Sequence, residues 1–144
     1  MNHETVRLPS MGDFDWVTAR AKCNVPDTFA ALRARVARDA LSATNCDSLP
    51  NVEVADGSEH SFSASIPSDV QGVAADTVTF ALNKHLGTIV VTRAQRGTSK
   101  PRSVFSATPH LLDRRCLLKV DGEYLEIWDL SRRALEPLIF GDYD

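Results

Sequence analysis

His110, Asp113 and Cys116 recur at three-residue spacing in "PHLLDRRC". A base, an orienting acid and a thiol are the parts of a nucleophilic site. That spacing aligns side chains only on a helix. Pro109 stands before the group and a strand is predicted from about Arg115, which leaves no room for one. A polar connection leading to a buried cysteine accounts for the same residues. Glu123, Glu126 and Asp129 are close enough in sequence to suggest paired acid–base carboxylates. A hairpin turn, a solvated strand position and a helix cap explain them without catalysis. Tyr124 and Trp128 are expected on one strand face with Glu126. They are residue types that anchor contacts, or they are buried beneath a helix. No catalytic residue is assigned. The enzymatic alternative is a small hydrolase or isomerase with a cavity site, using His110, Asp113 or Glu126 as acid or base.

A second constellation is made of charge. The protein carries a formal net charge of −3, but residues 77–112 hold Lys84, Arg93, Arg96, Lys100 and Arg102 with no carboxylate. Segregation of this kind creates a local field. Within it, "RAQRGTSKPR" lacks the second glycine and the following helix of a phosphate-binding P-loop. Gly97, Ser99 and Pro101 instead mark a hairpin loop. Cations and proline there blunt a sheet edge against unwanted pairing. A basic hairpin could also meet nucleic acid, although no aromatic side chain before Phe105 offers a base a stacking platform. Arg93, Arg96, Lys100 and Arg102, with Tyr124 and Trp128, are therefore the candidate ligand- or partner-binding residues. On the longest helix, Arg33, Arg35 and Arg38 are expected on the solvated side, Arg35 pairing with Asp39.

No cofactor or metal motif is present. Cys23, Cys46 and Cys116 show no zinc spacing and no dense disulfide framework, so three reduced and mostly buried thiols are expected. Neither a signal-peptide core nor an apolar run of membrane-spanning length occurs, which points to a cytoplasmic protein. The 144 residues and 43% hydrophobic content suit one core. Residues 1–12 read as a flexible arm and 13–144 as a single domain.

The elements that must position these residues follow from periodicity. Residues 14–23 alternate Val17, Ala19, Ala21 and Cys23 with polar residues, the pattern of a half-buried strand. In "VPDTFAALRARVARDALSATN", Phe29, Leu32, Val36 and Ala40 form one apolar stripe, predicting an amphipathic helix of about 16–18 residues capped by Asp27. Short runs rich in Val, Ile, Thr and Phe then follow to about residue 128, with Asp121-Gly122 as a tight hairpin turn. A short helix capped by Asp129 closes the chain, stopping near Glu136 because Pro137 follows. The expected fold is α+β: a mostly antiparallel sheet of about five to seven strands packed on one long amphipathic helix, with a short C-terminal helix.

The favoured function on this reading is a non-catalytic binding or interaction module. A ligand cavity could lie between helix and sheet. A protein partner or self-association as a homodimer is preferred, a small molecule is possible, and a nucleic-acid-binding domain using the basic hairpin is the alternative.

Overall fold

The computed structural model describes residues 14–68, 71, 75–95 and 101–141. The arm expected at residues 1–12, and Arg96 and Lys100, lie outside them. Two helices, α1 (Trp16–Lys22) and α2 (Val25–Thr44), precede seven strands. These are β1 (Glu53–Ser58), β2 (Ser61–Ile66), β3 (Asp76–Asn83), β4 (Thr88–Ala94), β5 (Arg102–Leu112), β6 (Arg115–Val120) and β7 (Glu123–Leu125), and α3 (Ile127–Phe140) follows. The strands form one antiparallel meander in chain order, so the expected α+β architecture is present.

Alternation aims one set of side chains at the helices. Phe62 and Ala64, Val78 and Phe80, Ile89 and Val91, and Ala107 are buried on that face. Against them lie Phe29, Leu32, Val36 and Ala40 of α2 and Leu130, Ala134, Leu135 and Leu138 of α3. Phe62 stacks on Phe80 at 4.6 Å and meets Phe29 at 5.1 Å. The opposite sheet face carries Ser61, Ser63, Thr77, Thr79, Thr92 and Thr108 on neighbouring strands, all at least partly exposed. Short hydroxyl side chains with strand propensity suit a face that stays wet.

β5 is the pivot of the sheet. Its residues Arg102–Ala107 pair with β4 and Thr108–Leu112 pair with β6. Pro109 lies beyond the last β4 partner, where its missing amide costs no ladder bond on that side. Asp121 and Gly122 both take positive φ, the tight turn read from the sequence. Asp113 and Arg114 make a similar two-residue turn at φ 50° and 68° without a glycine.

Four local expectations are corrected. Residues 16–22 are helical, capped by Asp15 accepting from the Thr18 amide, and not a strand. α1 buries none of its residues, so its alternation had no core face to answer to and alanine-rich helix propensity prevails. α2 is 20 residues long and is capped by Asn24, whose side chain accepts from the Asp27 amide. Asp27 instead accepts from the Asn24 side chain. α3 opens at Ile127 behind Glu126 and runs through Pro137 to Phe140. Gly141, at φ 94°, follows its last residue. β7 therefore ends at Leu125, and Trp128 is on a helix and not on the strand face of Tyr124.

Candidate functional site

The cysteines depart most from expectation. Cys23 and Cys116 form a disulfide spanning 93 positions and tying the end of α1 to β6. Cys46 is the free thiol, and it is exposed. The disulfide partners had no sequence signature, because only the turn of α1 into α2 brings Cys23 over β6. Cys116 as half of a disulfide cannot serve as a thiolate nucleophile. His110 packs on the wet sheet face against Tyr124, ring centroids 5.4 Å apart, with the Lys119 ammonium over the same ring. Glu126 pairs with Arg115 at 3.5 Å and accepts from the Trp128 indole at 3.4 Å. Asp113 belongs to the β5–β6 turn. The residues weighed for acid–base work thus occupy different neighbourhoods. Among the described residues no group of three His, Cys, Asp or Glu side chains is placed to hold a metal ion.

The space between α2 and the middle of the sheet is filled by the phenylalanine stack and its neighbours. Clefts occur at the margins. One of about 600 Å³ lies between the start of α2 and β1–β3, lined by Phe29, Arg33, Asp56, His60, Phe62 and Lys84. Arg33 donates to Asp56 at 2.9 Å and lies over the Phe62 ring. That hydrogen bond holds the Asp56 carboxyl below its usual range.

A groove of about 450 Å³ runs between α2 and α3 on their outer side. Its α2 wall is Arg35, Asp39, Ala43 and Cys46; its α3 wall is Trp128, Arg132, Leu135, Glu136, Ile139 and Phe140. Helical spacing makes each wall, since residues three and four apart share a face. The charges are already matched. Arg35 donates to Asp39 at 3.1 Å and Arg132 pairs with Glu136 at 3.5 Å. Asp39 also accepts 2.7 Å from Ser131, which is fully buried and so pins α3 to α2. Trp128 and Phe140 remain 45% and 52% exposed at opposite ends of the α3 wall.

Arg93 and Arg102 are register partners across β4 and β5. Arg93 is buried on the helix side of the sheet and gives Asp76 two hydrogen bonds, at 3.1 and 2.9 Å. Arg93 of the cation-only stretch thus pairs with the carboxylate just before that stretch begins. Tyr124 stands apart on the wet face. Of the four sequence candidates among the described residues, the structure brings two together, Arg93 with Arg102, and places Arg133 of α3 in the same pocket lining. Nothing in the sequence spacing linked Arg133 to the basic stretch. Among the described residues, no helix is long and apolar enough to cross a membrane. Compared with known proteins, the chain matches no family model, no curated protein and no solved structure.

Proposed function

We propose that this protein is a binding module acting without covalent chemistry, and that the α2–α3 groove receives an amphipathic helical segment of a protein partner. The observation that carries this reading is the pairing of charges along the groove, Arg35 with Asp39 and Arg132 with Glu136, while Trp128 and Phe140 stay half exposed. What remains to be covered is apolar. Trp128 and Phe140 are twelve positions apart on one helix, or about 18 Å at 1.5 Å per residue. A partner helix of similar length, with an apolar anchor at each end, fits the helix-in-groove mode. Tryptophan framed by paired charges is the composition of an interaction hot spot. The disulfide supports an oxidising compartment over the cytoplasm read from the sequence, because such bonds persist there.

The test uses Trp128 and Cys46 as reporters. In a Trp16→Phe background Trp128 is the single tryptophan. Amphipathic peptides selected by display against the full chain should shift its emission and protect Cys46, which lines the groove, from alkylation. Ala43→Arg and Trp128→Ala should each weaken binding by about tenfold or more. Selected peptides that bind both variants unchanged, or a selection yielding none, overturn the reading.

A further inference from the structure

Trp128, Arg132, Glu136 and Phe140 follow one another at four-residue spacing along α3, and all four are exposed and line the α2–α3 groove. On a helix that spacing makes a continuous ridge. From its N-terminal end the ridge is apolar, cationic, anionic, apolar; from the other end it is apolar, anionic, cationic, apolar. We propose that the helical segment received at this groove is α3 of a second copy of this chain, packed antiparallel on the first about a two-fold axis. The inference rests on the groove reading above and names its partner.

The order of charges selects this occupant. Positions 128 and 140, and positions 132 and 136, are symmetric about Ala134, which is buried in the core. A two-fold axis at the height of Ala134, on the solvent side of α3, sets each Arg132 against Glu136 of the second copy. The same operation sets Trp128 against Phe140. A parallel pairing opposes Arg132 to Arg132 and Glu136 to Glu136, and like charges facing across an interface repel. An isologous contact needs a surface complementary to itself, and a ridge with this order of charges is one.

Helix geometry agrees. Ridges of four-residue spacing are inclined to the helix axis, and two of them interdigitate when the helices cross at about 50°, the commonest packing class. That crossing brings the ends of the ridge into contact along with its centre. Arg132 pairs with Glu136 of its own helix at 3.5 Å, so the dimer joins two ion pairs into a square of alternating sign. The neighbouring cations are paired outside the square, Arg133 with Glu123 at 2.9 Å and Arg35 with Asp39 at 3.1 Å. Trp128 and Phe140 supply apolar anchors at either end of it.

Sedimentation equilibrium of the full chain over a range of concentrations gives the test. The parent should be a dimer that dissociates on dilution, because one helix ridge is a small interface. Arg132→Glu and Glu136→Arg, both at exposed positions, should each weaken self-association by about tenfold or more while keeping the circular dichroism of the parent. An equimolar mixture of these two variants should dimerise again, since the acid introduced at position 132 then meets the base introduced at position 136. The double variant should dimerise for the same reason, and Trp128→Ala should lose about tenfold. A parent that stays monomeric, single variants that associate like the parent, or a mixture that associates no better than its components overturns the inference. A monomeric parent whose Trp128 still responds to selected peptides removes the second copy as partner and leaves the groove as a binding site; loss of both responses removes both.

Discussion

Asp76 of β3 reaches diagonally to Arg93 of β4 in a bidentate pair, with Arg93 nearly removed from water. Breaking such a pair from one side is costlier than replacing both partners, because a buried charge loses its compensation. Asp76→Ala is expected to cost about 3–5 kcal/mol in denaturant unfolding. The double variant Asp76→Leu, Arg93→Met should recover much of that loss. An Asp76→Ala protein as stable as the parent would show that the pair contributes little. Arg93 was singled out by sequence for a cation-only neighbourhood, but its orientation was not legible there. Direction depends on strand parity, and a one-residue shift in register reverses it.

α1 shows how weakly a short element can be held by packing. It buries no residue, and the Cys23–Cys116 disulfide just past its end and the Arg114 guanidinium over the Phe14 ring just before its start, 5.4 Å away, help tie it to the body. The crosslink restrains a long loop in the unfolded chain, so Cys23→Ala with Cys116→Ala should lower stability by about 2–4 kcal/mol in chemical denaturation. Amide exchange should rise in α1 and remain slow in the buried stripe of α2. Exchange that rises equally in both helices would mean that the bond supports the core and not the element. The long helix was legible because Phe29, Leu32, Val36 and Ala40 keep one face apolar. The alternation of small and polar residues in α1 fits two periods, and with no face buried it does not select the strand. Pro137 by itself predicts a stop near Glu136, whereas the helix continues to Phe140 and its packing keeps Leu138 in the core.

At the scale of the whole molecule, hydrogen bonds depress two exposed carboxyl groups among the described residues. Hydrogen bonding by Thr18 holds Asp15 below the usual carboxylate range, and hydrogen bonding by Arg33 does the same for Asp56. A depressed folded pKa means that the unfolded chain binds more protons in acid. The contribution is therefore present above the unfolded value, about 3.9, and is lost as pH falls through the folded values. Tm should decline between about pH 5 and pH 3, and Asp15→Asn with Asp56→Asn should flatten that decline. An unchanged slope in the double variant would place the acid sensitivity elsewhere.

Composition and periodicity by themselves determined the α+β class, a mostly antiparallel set of short strands, the Asp121-Gly122 turn and the apolar stripe of α2. Those features are local, or repeat with the period of their own element, so they are written along the chain. Tertiary structure alone decided that Cys23 meets Cys116, that Trp128 leaves the strand and stands in a groove between two helices, and that Arg133 joins Arg93 and Arg102. Each depends on which faces meet across distant segments, and that is set by the joint packing of helices and sheet around one core.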